Sequence, residues 1–503
     1  METSSQANFT GHSRSVVDDE PRHIDLLIGG KRSASRSGQT FPRISPLRYT
    51  TVTIAAAATP EDAIRAANAA ASAFPEWSTS SPALRRSILQ RAAGILLDRK
   101  QDFIDSMMLE IGATALWSDF NVELAAKILL EASAMTTQVS GAIIPSDREG
   151  VSSFAVRQPA GVCCAIAPWN APVLLGVRSI ATALACGNTV VMKTSELCPA
   201  THSMLGEVLA QAGLPPGVLN IISNAPTDAS AIVETLIAHP AVRRVNFTGS
   251  TRVGKIIAQV AAKFLKRCLL ELGGKAAFVV LDDADLDEAA DAAAFGAFFN
   301  QGQICMSTER VIVMDAVAAA FVARLVAKAD ALRAGDPLRH AHPLGSLVTA
   351  ESARRVKSLI EDARSKGGAV LTGGEARDAF LDATVVDHVT RSMRLYHEES
   401  FGPVAAVIRV GSIEEAITVA NDCEYGLSAS VFGKDVRRAM DVAMRIESGI
   451  CHVNSATIAD EPQAPFGGVK ASGYGKFGGP AALDEFTELR WITTSSGKID
   501  YPI

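Results

Sequence analysis

The chain has 503 residues, too many for one simple hydrophobic core, so two or three domains are expected. Hydrophobic residues make up 48% and charged residues 20%, with a formal net charge of −6. That balance suits a globular protein, offers no basic surplus for nucleic acid, and leaves no apolar run of the roughly 18–20 residues a membrane helix needs.

Residues 1–22 are polar and Ser-rich and lack the apolar core of a secretory signal, so they read as a disordered cytoplasmic tail. Residues 60–141 read as amphipathic helices, with apolar residues recurring at three and four, as in 61–74 and 84–111. From Gly161 short apolar runs (161–167, 189–192, 218–222, 245–247) alternate with periodic segments such as 200–212 and 229–238. This alternation predicts a parallel, doubly wound α/β sheet, whose ligands sit beyond the carboxyl ends of its strands. A second alternating block covers 276–453, with strands expected at 277–281, 311–314 and 404–410, and the Gly-rich run at 271–275 is the expected hinge. The stretch 487–494 reads as a strand added to another sheet, such as a partner subunit's. The eight cysteines are scattered without C-x-x-C spacing, which argues against a disulfide scaffold or a metal cage.

One cysteine has suggestive neighbours. Cys305 closes Asn300-Gln301-Gly302-Gln303-Ile304-Cys305, and Glu271 opens Glu271-Leu272-Gly273-Gly274-Lys275. A thiol can attack a carbonyl and a carboxylate can activate water. Asn170, in Pro168-Trp169-Asn170, can donate to a developing oxyanion, with the Cys305 backbone N–H as second donor. As alternatives, the asparagine suits a turn and Glu271 a loop acid. On the nucleotide side, Lys193 and Glu196 follow an apolar strand and can hold ribose hydroxyls. A carboxylate there repels a 2′-phosphate, which favours NAD over NADP. Gly249 and Ser250 open a helix whose N–H groups suit a pyrophosphate. Both segments are also compatible with ordinary helix entries.

Taken in order, these motifs, together with Glu399-Ser400-Phe401-Gly402-Pro403 and Pro465-Phe466-Gly467-Gly468, resemble the NAD(P)-dependent aldehyde dehydrogenase family from about Asp25 onward. Two departures stand out: Thr194 where many members have Pro, and Ser223-Asn224-Ala225-Pro226 where many have a Gly-rich turn. The resemblance implies a Rossmann-like cofactor domain (23–140 and 159–270), an α/β catalytic domain (271–470) and a small β oligomerisation flap (141–158 and 485–503) in a homodimer or homotetramer. It implies Cys305 as nucleophile, Glu271 as base and Asn170 as oxyanion donor. Cofactor contacts fall to Ile166, Trp169, Lys193, Glu196, Gly249, Ser250, Leu272, Glu399 and Phe401, with Lys275 supporting the base and its proton path.

The substrate wall is expected from Trp117, Phe120, Leu124, Leu174, Arg178 and Phe466. Flat apolar rings suit an aromatic aldehyde, and Arg178 suits a phenolate or carboxylate on it. Packing alone would also explain Trp117 and Phe120, and solvation Arg178. The segments 171–178 and 454–463 resemble the salicylaldehyde, vanillin and benzaldehyde dehydrogenases, so a hydroxybenzaldehyde is the first expectation. An aliphatic or semialdehyde dehydrogenase is the alternative within enzymes, and a catalytically silent binding protein the alternative outside them.

Overall fold

The structure, a computed structural model, describes residues 20–339, 341–497, 499 and 501–503. Most of the expected tail lies outside the described residues. Its last residue does not belong to a tail, because Arg22 opens the strand Arg22–Ile24, which pairs in parallel with Thr51–Ala56.

Among the described residues, four helices precede the parallel strands of the first large sheet. Pro60–Thr79 starts from a capping box in which Thr59 and Asp62 satisfy each other's backbone N–H groups. The run read as helical over 84–111 is two helices, Pro82–Asp98 and Lys100–Ile111, broken where Arg99 leaves helical geometry. The second ends at Gly112, whose left-handed conformation (φ 71°) suits a residue without Cβ.

The first sheet has eight strands in the spatial order Gly473–Tyr474, Arg267–Glu271, Val242–Thr248, Val162–Ile166, Thr189–Lys193, Leu219–Ile222, Leu26–Ile28, Lys31–Ser33. The five from Arg267–Glu271 to Leu219–Ile222 are mutually parallel. Val162–Ile166 and Thr189–Lys193 are buried throughout, as strands covered on both faces must be. The chain runs outward from Val162–Ile166 to Leu219–Ile222, then crosses back to place Val242–Thr248 on its other side. That reversal opens a crevice beyond the ends of Ile166 and Thr248.

The second sheet orders Ala369–Thr372, Thr384–Asp387, Val404–Val410, Thr308–Met314, Ala276–Val280, Ser428–Phe432 and Ile450–Val453, all parallel except the first pairing. Glu271 ends a strand of the first sheet and Ala276 begins one of the second, so the expected hinge at 271–275 joins the two. A third sheet joins Ala142–Ile144, Val151–Pro159 and Thr487–Ser495. The last strand pairs with Val151–Pro159 of its own chain over nine residues, so the fold itself supplies its sheet.

Candidate active site

The crevice between the two sheets gathers the motifs. Gly249 N–H donates to the Glu271 carbonyl at 2.9 Å, tying the two strand ends together. Ser250 caps the helix Thr251–Lys263 through the Val253 N–H. Leu272 packs under Gly254 of that helix, and its N–H donates to the Ser472 carbonyl at 3.1 Å. Lys193 is buried at the end of its strand, with Nζ 3.3 Å from Glu196 Oε2. Next to these, Thr194 Oγ1 and Asn224 Oδ1 are buried polar atoms without a partner. They lie at the two departures noted above, at the carboxyl ends of neighbouring strands. Orphaned polar atoms beside a Lys–Glu pair fit the polar edges of a dinucleotide.

The nicotinamide side is organised from the second sheet. Phe401, in left-handed conformation (φ 48°), meets Trp169 edge-on at 5.7 Å between ring centroids. Glu399 Oε1 accepts from the Gly274 N–H at 3.0 Å, and burial raises this carboxyl to about 7. The Lys275 ammonium is buried against Glu309 Oε2 at 2.6 Å. Glu309 in turn accepts from the Ser400 N–H (2.9 Å), the Ser400 hydroxyl (2.8 Å) and the Phe401 N–H (3.1 Å). The Lys275–Glu309 pair therefore holds the turn that presents Glu399 and Phe401.

The nucleophile loop is strained. Asn300, Gln301 and Gly302 are three consecutive left-handed residues (φ 49°, 56° and 69°). Two of them carry side chains, at about 1–3 kcal/mol each, so the surroundings must impose the conformation. They do so by hydrogen bonds: Asn300 Nδ2 to the Asn170 carbonyl (3.2 Å), Gln301 Nε2 to Ser346 O (3.0 Å), and the Val348 N–H to Gln303 Oε1 (2.9 Å). Asn170 Nδ2 donates to Gln303 O at 2.9 Å, which engages one of its two amide protons. Cys305 is half-buried at the end of this loop. Burial, then the charges of Glu271 and Glu399, push its thiol up to about 12.

Glu271 is buried, and neither carboxylate oxygen meets a side-chain donor, the Gly468 backbone N–H being the polar group that bears on it. Burial raises its carboxyl well above the ordinary range, against the pull of Arg178 and Lys476. Asn170, Cys305 and Glu271 thus converge: a donor with an uncommitted N–H, a thiol, and an unpaired carboxyl.

The expected substrate wall divides into two groups. Trp117 is 2% exposed, and its indole N–H is directed at the Asn170 carbonyl. It does not itself form a flat open wall. It backs the half-buried Phe120, stacked on it at 5.4 Å, with Phe299 edge-on to both. Leu124 and Leu174 are buried in the same core. Arg178 corrects the sequence reading more sharply. All of its helix Pro172–Ala185 is buried, and Arg178 is neither solvated nor a free cation. It forms a buried ion pair with Asp460 and lies over the Phe466 ring at 4.3 Å.

Sequence reading missed Glu309, Asp460 and Lys476. An acid in the fully buried strand Thr308–Met314, followed by an apolar run, was a signal for the first. Nothing local distinguishes Asp460, whose partner is 282 residues away.

Residues 33–492 match the family model described as the aldehyde dehydrogenase family. The chain is 56% identical over 481 residues to a vanillin dehydrogenase of Pseudomonas sp., covering 96% of this chain and 100% of that one. It is 48% identical over 478 residues to a salicylaldehyde dehydrogenase of Pseudomonas putida, covering 95% and 99%. The crystal structure of a salicylaldehyde dehydrogenase from Pseudomonas putida complexed with salicylaldehyde superposes with a TM-score of 0.94 at 47% identity, covering 96% and 100%.

Proposed function

The chain belongs to the aldehyde dehydrogenase family, a family of nicotinamide-dependent enzymes, and from that premise we propose that it oxidises an aromatic aldehyde of the hydroxybenzaldehyde type to the acid, with NAD. The observation that carries the substrate class is end-to-end similarity to vanillin and salicylaldehyde dehydrogenases. The Trp117–Phe120–Phe299 cluster beside Asn170 supports it, because stacked and edge-on rings favour a flat aromatic guest.

Lys193 and Glu196 would hold the adenosine ribose, Gly249 and Ser250 the pyrophosphate, and Glu399 the nicotinamide ribose. Ile166, Trp169, Leu272 and Phe401 would enclose the rest. The acid at Glu196 favours NAD over NADP. When bound, the cofactor supplies a hydride acceptor.

The residues of the chain do the remaining chemistry. Cys305 adds to the aldehyde carbon through sulfur as its thiol proton passes to the neighbouring Glu271 carboxylate, which releases that proton before the hydrolytic step. The second N–H of the Asn170 amide and the Cys305 backbone N–H receive the oxyanion. Oxidation leaves the acyl group on Cys305 as a thioester. Glu271 then takes a proton from the water that attacks it, and the acid departs as the thiol is restored. Phe120, Leu124, Leu174 and Phe466 would enclose the ring, with Trp117 behind Phe120 and Arg178 against Phe466.

A homodimer or homotetramer in the cytoplasm completes the proposal. The flap leaves Leu489 62% and Trp491 69% exposed on an edge strand, a surface that suits a second copy. All eight cysteines are free thiols. Among the described residues no helix is long and apolar enough to cross a membrane.

The test is absorbance at 340 nm with NAD or NADP against vanillin, salicylaldehyde, benzaldehyde and succinic semialdehyde. Higher kcat/KM for the aromatic three with NAD is expected. Preference for the semialdehyde would refute the substrate class, and no turnover of any aldehyde would refute the activity.

A further inference from the structure

Glu271 stands among cations yet pairs with none. Two positive groups act on its charge, Arg178 and Lys476. Arg178 stacks on the ring of Phe466, and the next residue, Gly467, lies against the Glu271 carboxylate: a Cβ built there would be 2.6 Å from Oε1. The same position is 2.7 Å from Cδ of Lys476. A charge-assisted bond from either cation to a buried carboxylate would be strong. Each is held elsewhere. The Lys476 ammonium donates to the carbonyls of Gly467 and Gly468. The Arg178 guanidinium donates to Asp460 Oδ2, in a pair whose side chains are 6% and 4% exposed. Neither cation closes onto Glu271, and the polar group that bears on its carboxylate is the Gly468 backbone N–H.

We propose that Asp460 is a positioning residue that keeps Arg178 off the general base, so that the Glu271 carboxylate stays free to take a proton from the hydrolytic water. The inference rests on the reading of Glu271 as base. A carboxylate closed onto a guanidinium is a weaker base, and its oxygens point at the cation rather than at water. The charged and titratable groups facing Glu271 are Arg178 from the helix Pro172–Ala185, Asp460 from the segment before Phe466, Lys476 after the strand Gly473–Tyr474, and the Cys305 thiol. Paired with Asp460, the Arg178 charge is balanced, and burial dominates Glu271, holding its carboxyl above the ordinary range.

The experiment is a cycle of Asp460→Asn, Arg178→Met and the double variant, read with benzaldehyde, which carries no ring hydroxyl for Arg178 to meet. In Asp460→Asn, Arg178 has lost its charge partner and should turn to Glu271. Thioester hydrolysis then falls at least about tenfold, and by no more than the roughly 10²–10⁴ that a general base contributes. A pre-steady-state burst of NADH appears, and the acid limb of kcat moves to lower pH. Removing Arg178 as well should bring hydrolysis back to within about threefold of the parent and abolish the burst. A merely structural role for Asp460 would not be rescued that way. Unchanged hydrolysis in Asp460→Asn, or a double variant as slow as the single, overturns the proposal. Should Asp460→Asn not fold, the double variant decides alone, since it removes both charges: hydrolysis within about threefold supports the proposal, and a larger loss overturns it. Glu271→Gln separates the two readings. If it leaves hydrolysis intact, the assignment of the base fails. If it abolishes hydrolysis while Asp460→Asn does not slow it, only the role of Asp460 fails.

Discussion

The indole N–H of Trp117 donates to the backbone carbonyl of Asn170 at 2.9 Å, inside a core closed to solvent. A buried tryptophan thus positions the proposed oxyanion donor, and Asn300 shares the same carbonyl from the nucleophile loop. Replacing Trp117 by Phe keeps a ring against Phe120 and removes the donor. The loss of one buried hydrogen bond should cost about 1–3 kcal/mol of stability. It should lower kcat severalfold while leaving KM for benzaldehyde within about twofold. Denaturation midpoints and steady-state kinetics check this; a large rise in KM with unchanged kcat would make Trp117 a substrate contact instead.

Asn170→Ala removes the side-chain donor itself. One such donor is worth about 10²–10³ in rate, so turnover of a chemistry-limited aldehyde should drop by that factor. Cofactor affinity, read by fluorescence titration, should be unaffected. Full kcat in the variant would remove Asn170 from the chemistry.

The buried Lys275–Glu309 pair predicts a coupled loss. Glu309→Gln leaves the Lys275 charge uncompensated, at a cost of about 3–5 kcal/mol. It also loosens the turn carrying Glu399 and Phe401, so NAD should bind more weakly. The double variant Lys275→Met with Glu309→Leu should recover much of the stability but not the NAD affinity, because the acceptor for Ser400 and Phe401 is still missing. Equal NAD affinity in all forms would count against this account of the turn.

Glu399 gives a pH signature to the folded state. Burial raises its carboxyl from an ordinary 4.5 to about 7, so between those values the folded chain holds a proton that the unfolded chain has released. Stability therefore falls as pH rises through that window, by about 1–3 kcal/mol from this group once partial solvent contact is allowed for. Glu399→Gln should flatten that part of the stability profile. Urea midpoints at pH 4.5 to 7.5 measure it, and parallel slopes for parent and variant would contradict the assignment.

Much of this protein was legible in one dimension because the signals are local. The strands at 189–192 and 404–410 and the helix at 229–238 are found where periodicity placed them. Asn170, Glu271 and Cys305 were recognisable because short turn motifs carry them, and the order of those motifs identifies the family. The boundary at Arg99 was not legible, since a single residue leaving helical geometry does not disturb apolar periodicity.

The sequence by itself thus determined the doubly wound architecture, the family and the three candidate catalytic groups, because each rests on residues close together in the chain. Only the tertiary structure decided what the charges do. Lys275 turns to Glu309, Arg178 turns to Asp460, and Trp117 turns inward to Asn170. The physical reason is burial. A cation or indole N–H removed from water must find a partner wherever the fold brings one, and for Arg178 that partner arrives from the far end of the chain.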